Sequence, residues 1–508
     1  MGKRTKASLL TLVMAIINSI LAVFFSLVYN NLFIRNYGSA TNGLISTLNQ
    51  FVSMFTIIEG GFTTAAIVAT YEPIVNKNYD LLNSILYTTK RVFRKIGAII
   101  VIAVLFLGSI YINFIDSPFP YAQTFLLLLI SVLSTGFSLL FMTQYSILLN
   151  GANKEYVRVQ ISLVCRCITW FASIILIMRK DSVLLVFSLN LINIFLNTIF
   201  LKLYEHRSFP QITYKGTYNR QLIRGTGDVF FQKIANTIFT STDLVLISVF
   251  ISLASASVYN LYYQVYKSIL TLLLDIAQAP FNSFGQIAAE NDREKLLKYF
   301  NMYQFAILIC ASAILTITGV MIIPFIKIYT RKISDYNYLF PSLAILFFMQ
   351  IFAQVVNRPY GILLNTTGNF KMQNKQCALA AVINIIVSVA FINQLGINSI
   401  ILGSFVGTLI ILVMNIYQAY NRVLETSFVR ATKNIVINFG LGTMLIVLSL
   451  KIEITPNNYL KWIFDSLISA FVVIFVFLTS NFIIEKETTK LILQSLLRKI
   501  KKSEKINI

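Results

Sequence analysis

YSILLNGANKEY (residues 145–156) and YGILLNTTGNFK (residues 360–371) share five of their first six residues at an offset of 215. Each closes a long apolar run and opens a short polar segment. Six apolar runs separate the two, so the chain crosses from the same side in both. That is the signature of a parallel internal repeat, with halves related about an axis along the membrane normal. An apolar segment of low complexity can mimic itself by chance, but the shared topological position argues for a true repeat.

Working outward, runs of roughly 20 apolar residues, the span a bilayer demands of a helix, recur along the whole chain. Fourteen windows are predicted, from 9–34 through 43–70, 96–115 and 121–149 to 434–451 and 460–484. The 508 residues are 56% hydrophobic and 12% charged, with a mean hydropathy of +0.73. A soluble domain carries about a quarter charged residues. The composition therefore specifies an all-α polytopic membrane protein without a separate soluble domain. The basic start, Met1-Gly-Lys-Arg, resembles a signal flank, but the following apolar run is too long for a signal core and lacks a small-residue cleavage site. It is expected to stay as the first span.

The net charge of +22 would suit nucleic acid if it were spread over a soluble surface. With the N-terminus placed in the cytoplasm, 30 of the 42 Lys and Arg fall in inside segments and 8 in outside ones. The positive-inside rule then puts both termini in the cytoplasm and accounts for most of the charge, so no nucleic-acid partner is expected. The tail from Lys490, with Arg498, Lys499, Lys501 and Lys502 beside apolar residues at helical spacing, lies on the inner leaflet or is simply solvated. The expected layout is a six-helix bundle over 1–205, a cytoplasmic linker 206–225, a second bundle over 226–420, two appended helices over 421–484 and a basic tail 485–508.

Four basic residues remain inside predicted spans: Arg166, Lys233, Lys267 and Arg358. Three helices carry polar stripes at steps of three and four, one side of a helix. The first runs Asp228, Gln232, Asn236, Thr240 and Asp243, with Lys233 beside it; the second runs Tyr259, Tyr263, Lys267, Thr271, Asp275, Gln278 and Asn282. The third runs Asn42, Ser46, Asn49, Ser53, Thr56, Gly60 and Thr63, flanked by Glu59 and Gln50. A charge at the bilayer centre costs about 2.5–3.5 kcal/mol even on the lenient insertion scale, so it faces a partner or a wet cavity. Two readings stand. Lys233 with Asp275, or Lys267 with Asp243, pair between helices and fix packing. Alternatively Lys233, Lys267, Arg166 and Arg358 attract an anionic group in a polar cavity between two bundles, while Glu59, Asp228, Asp243 and Asp275 balance charge or carry a coupling ion.

Arg166 lacks a polar stripe around it, Arg358 near a helix end can snorkel, and Arg35 marks the outer mouth or anchors a helix end. Tyr263, with Tyr259, shares the face of Lys267 and can stack on a sugar. Most Tyr and Phe are expected to face lipid or form the interfacial belt. Cys165, Cys167, Cys310 and Cys377 all lie in apolar runs, which speaks against a disulfide framework or a zinc site. His206, in an inside loop, is expected to be solvated.

The stretch "YGSATNGLISTLNQFVSMFTIIEGGFTTAAIVATYEPI" (37–74), the "LLNGANK" turn and the "GDVFFQKIANTIFTSTDLVLI" opening of the second half resemble the polysaccharide-type flippases of the multidrug/oligosaccharidyl-lipid/polysaccharide (MOP) exporter superfamily. Glu59, Gly60, Gly61, Ala65, Tyr71 and Pro73 match the family's acidic-Gly turn, small-residue patch and Tyr-x-Pro; Glu72 stands where a basic residue is usual. The resemblance implies a MATE-like fold of two six-helix bundles around a cationic cavity that opens alternately to each side. It implies an undecaprenyl-diphosphate-linked oligosaccharide as cargo, flipped from inner to outer leaflet of the bacterial cytoplasmic membrane for capsule, exopolysaccharide or O-antigen assembly. A lipid II flippase and a multidrug antiporter of the same fold are the near alternatives.

The expected partners are that glycan lipid, membrane lipids and other polysaccharide-assembly proteins, with the chain a monomer. No cofactor is expected beyond Na+ or H+ as a coupling ion. A membrane polymerase would need a sizeable extramembrane loop, whereas the outside loops here are short; no Walker loop or H-E-x-x-H is present, and "GTGDVF" precedes a span rather than following a strand. Transport therefore outweighs catalysis.

Overall fold

The computed structural model describes residues 3–219, 241–290, 292–367, 370–452 and 454–486. The described residues are helical, without strands. Among them, nine helical stretches are long and apolar enough to cross a bilayer. By its internal contacts the chain divides into Met1–Val258 and Tyr259–Ile508.

In the first unit, α1 (Lys3–Tyr37) packs on α7 (Glu155–Met178), and α7 on α8 (Val183–Ser208). The second predicted span is broken at Thr56 into α2 (Ser39–Phe55) and α3 (Ile57–Val75). No proline sits at the break. The hydroxyls of Ser53 and Thr56 instead donate to the carbonyls of Gln50 and Ser53 (2.7 and 2.8 Å), the back-bonding that bends helices.

The next helix, α4 (Tyr79–Tyr111), begins well before the 96 predicted from hydropathy. Asn78 caps it by accepting from the Leu81 N–H (3.1 Å), and Asp80 occupies its first turn, both favourable at a helix start. The helix then runs through Lys90, Arg91, Arg94 and Lys95, because charge ends the membrane-spanning stretch and not the helix. Its 33 residues reach about 50 Å against a hydrocarbon core of about 30 Å. The charged part is the basic end of the unit.

The unit continues through α5 (Tyr121–Phe137), a π turn (Ser138–Met142) and α6 (Thr143–Gly151). Its last described helix, α9 (Asp243–Phe250), packs on α2, as does the start of α10 (Leu253–Gln278). Thus Asp243–Val258 sides with the first unit by contacts, although the polar pattern opens the second bundle at 226. The core gathers Phe33, Leu44, Leu48, Val104, Leu127, Leu128 and Leu253.

The second unit comprises the rest of α10, α11 (Phe281–Ala289), α12 (Arg293–Tyr329), α13 (Pro341–Thr366), α14 (Phe370–Ala390), α15 (Ile392–Leu395) and α16 (Ile397–Gln418, extended by a π turn to Leu424). It closes with α17 (Val429–Ile452) and α18 (Tyr459–Ile484). The last two lie directly on α12. A Cβ on Gly319 of α12 would come within 2.4 Å of Ile446, and one on Gly442 of α17 within 2.5 Å of Phe348. Both of these close approaches are made by α17.

The repeated motif occupies matching environments in the two units. Tyr145, Ile147, Leu148 and Leu149 are all buried, as are Tyr360, Ile362, Leu363 and Leu364. Both helices are closed alike: Ala152 N–H donates to Leu148 O (3.0 Å), and Thr367 N–H to Leu363 O (3.1 Å), each pair again 215 apart.

Candidate functional site

The face of α10 that bears Lys267 is set by the tyrosines on its other side. Tyr259, Tyr262 and Tyr266 are buried around Phe347 of α13, with ring centroids 5.2, 6.4 and 5.3 Å away. The Tyr262 hydroxyl donates to Tyr338 O (3.0 Å) and accepts from the Phe340 N–H (3.0 Å), while Tyr266 donates to Ala344 O (2.7 Å). Burial of the rings satisfies the apolar body, and these bonds satisfy the hydroxyls. Helix α10 is thereby held in one rotation, which corrects the expectation that Tyr259, now buried, can stack on a sugar.

The opposite side presents Lys267, Thr271 and Asp275, all exposed. The Lys267 ammonium lies over the Tyr263 ring, 5.1 Å from its centroid, a favourable cation–π geometry. Among the described residues of this unit, no Asp or Glu comes within ion-pair distance of Lys267. Asp275 follows two turns later on the same side.

Near the end of α10, Gln278 accepts from Nη2 of Arg358 (2.5 Å). Arg358 is half-buried, and its Nε is enclosed without a partner. It is therefore tied into α13 and α10 rather than extended to the surface. Eleven residues separate Lys267 from Gln278, about 16 Å of helix; Lys267 and Arg358 are two stations along α10.

In the first unit the predicted residues are more dispersed. The Arg166 guanidinium lies over Trp170 (5.6 Å), whose ring stacks on Phe25 at 4.9 Å. Arg35 is exposed in the last turn of α1, and Asn49 is exposed with its Oδ1 accepting from Ser131 (3.2 Å). Asp243 is buried in the first turn of α9, and Glu59 falls in the first turn of α3. Asn42, the first member of a polar stripe, is buried and donates to Ser257 (2.8 Å), a packing contact. Lys233, Asp228, Gln232 and Asn236 lie outside the described residues.

One polar seam escaped the sequence reading. Asn438 and Asn481 exchange amide hydrogen bonds, Asn434 donates to Glu485 (2.9 Å), and Arg430 pairs with the same carboxylate. The signal was present, since 434/438 and 481/485 are both i,i+4 pairs in apolar helices. It was passed over because it carries no cation inside a span.

No protein-family model matches the sequence, and no curated protein sequence matches it. Solved structures do. The lipid II flippase MurJ in an inward closed conformation superimposes with a TM-score of 0.68 at 15% identity, covering 93% of this chain and 99% of that one. An inward-facing multidrug resistance MATE family transporter of the MOP superfamily gives 0.57 at 11% identity, covering 85% and 96%. A eukaryotic MATE transporter gives 0.56 at 14% identity, covering 87% and 99%. At such identity the likeness establishes the fold: a multi-pass membrane protein built as the MOP transporters and flippases are.

Proposed function

We propose that the protein is a flippase that carries an undecaprenyl-diphosphate-linked oligosaccharide from the inner to the outer leaflet of a bacterial cytoplasmic membrane, with both termini in the cytoplasm. The observation that carries this reading is Lys267: a cation in the middle of α10, exposed, cradled by Tyr263 and without a carboxylate within ion-pair distance among the described residues of its unit. A diphosphate leaving water needs compensating charge, and an unneutralised ammonium supplies it. A cationic drug would be repelled by it. Lys233, Arg358, Arg166 and Arg35 are proposed to extend the cationic path, with Asp228, Asp243, Asp275 and Glu59 as balancing or coupling charges. Gln232, Asn236 and Asn49 are proposed as polar contacts.

The likeness to MurJ supports a second cargo of the same chemistry, lipid II. Depletion of the protein followed by analysis of lipid-linked glycans separates the two. Accumulation of unpolymerised diphosphate-linked repeat units on the inner leaflet supports the leading reading, and accumulation of lipid II the second. Unchanged glycolipids with altered drug sensitivity would overturn both.

A further inference from the structure

The repeat seen in the sequence can be followed into the contacts of the first unit. Helices α2 and α10 begin at Ser39 and Leu253, and α4 and α12 at Tyr79 and Arg293, each pair within one residue of the 215 offset. By that count Asn42 of α2 and Ser257 of α10 are equivalent positions, and they are bonded to each other: Asn42 Nδ2 donates to Ser257 Oγ (2.8 Å) across 215 residues. Repeat mates that touch lie on the axis that relates them. A path between two repeats related about the membrane normal runs along that same axis. The Asn42–Ser257 bond therefore stands across the path, not beside it.

The two surfaces that meet there are alike. GSATNG (38–43) opens α2 and SLASAS (252–257) opens α10; Ser39, Thr41, Asn42, Ser255 and Ser257 are all buried. Gly43 lets the Leu253 carbonyl lie flush on α2, where any Cβ would meet it. A further bond closes the seam, from the Tyr111 hydroxyl at the end of α4 to Ser248 Oγ of α9 (2.6 Å), with Ser248 itself donating to Val245 O (2.8 Å). The apolar share is small: Leu253 with the half-buried Val245 and Val249.

Such a surface suits a contact that is made and broken. Hydroxyls and amides that bond one another when dry bond water when wet, so parting the seam exchanges hydrogen bonds and bares little apolar area. The seam lies beside the α1–α2 corner and its exposed Arg35, the end of these helices that the distribution of Lys and Arg assigns to the outside.

We propose that this seam is the outer gate of the transporter. It is shut here, and α9 with the first turns of α10 swings off α2 when the path opens to the outside. The inference rests on reading the chain as a transporter and is independent of its cargo.

The test is the cysteine pair N42C/S257C in the full-length protein, with Cys165, Cys167, Cys310 and Cys377 replaced by Ser, in cells. The reduced pair should support polymer export; oxidation should crosslink it and cut export about tenfold or more until a reductant restores it. Full export by the crosslinked protein, or failure to crosslink, would overturn the gate. A second readout does not depend on the cargo. Ser257 and Leu44 are both wholly buried, Leu44 within the apolar core. A membrane-impermeant maleimide added to intact cells should label S257C about tenfold faster than L44C, because opening of the gate bares only the first. Equal rates would overturn the gate, whereas faster labelling of S257C with unchanged glycans in a deletion strain would support the gate and overturn the cargo.

Discussion

Asn438 of α17 and Asn481 of α18 donate to one another through their side-chain amides, at 3.0 and 2.9 Å, with both residues fully buried. Neither helix makes extensive contact with the other elsewhere; both lie on α12. The amide pair, the Asn434–Glu485 hydrogen bond and the Arg430–Glu485 pair join them. Replacing Asn481 with Ala should therefore destabilise the protein in detergent by about 1–2 kcal/mol by leaving Asn438 unsatisfied. The double variant should cost less than the sum of the singles, with a coupling of about 0.6–1.7 kcal/mol in a double-mutant cycle. Strict additivity would show that the pair does not join the helices.

A Cβ built on Gly43 would sit 1.7 Å from the Leu253 carbonyl oxygen, whereas one on Gly440 meets nothing within 4 Å. Gly43→Ala has no flexible side chain to displace, so α2 and the start of α10 must separate. Its thermal midpoint should fall steeply, by a loss of about 3 kcal/mol or more. Gly440→Ala should instead raise stability by up to about 1 kcal/mol through helix propensity.

The segment 209–219 folds back along α4 as a strap, held by Thr88, which accepts from the Asn219 N–H, by Gly216 flush against Ser84, and by three bonds from Asn83. Without the Asn83 side chain the Gln211 carbonyl and the Thr213 and Tyr214 N–H groups lose three part-buried bonds, at about 0.5–1.5 kcal/mol each. Limited trypsin cleavage after the exposed Lys215 should accelerate about tenfold in Asn83→Ala, because cleavage follows the open population. An unchanged rate would mean that Thr88 and Gly216 suffice.

Lys267 and Tyr263 act as charge and seat. Lys267→Gln should abolish polymer export in a complementation assay while leaving the protein in the membrane. Tyr263→Leu should reduce export only a few-fold, in keeping with a cation–π contribution of about 0.5–2 kcal/mol. Full export by Lys267→Gln would remove the diphosphate role from this residue.

How far the sequence reached is clearest on α10. The spacing of Tyr263, Lys267, Thr271 and Asp275 was enough to put them on one side, because 3.6 residues per turn is a property of the backbone alone. That Tyr259 faces inward was not legible. Its ring and that of Tyr263 are one turn apart, and both meet Phe347 of α13, at 5.2 and 6.4 Å, yet only Tyr259 is fully buried there. Arg358 was equally ambiguous until Gln278, 80 residues away, supplied its partner.

The early start of α4 was hidden for a related reason: hydropathy reports where a helix meets lipid, while capping by Asn78 and burial of Leu82, Leu86 and Phe93 beneath the strap decide where the helix begins. By itself, then, the sequence determined a polytopic all-helical membrane protein with a parallel repeat, and the faces on which its polar residues lie, since these follow from local periodicity and from the cost of charge in lipid. Only the tertiary structure decided which of those faces are packed and which are open, because burial is settled by side chains far apart in the chain. It alone showed that Asn42 is a packing contact, Lys267 an exposed cation, and the segment 209–219 a strap.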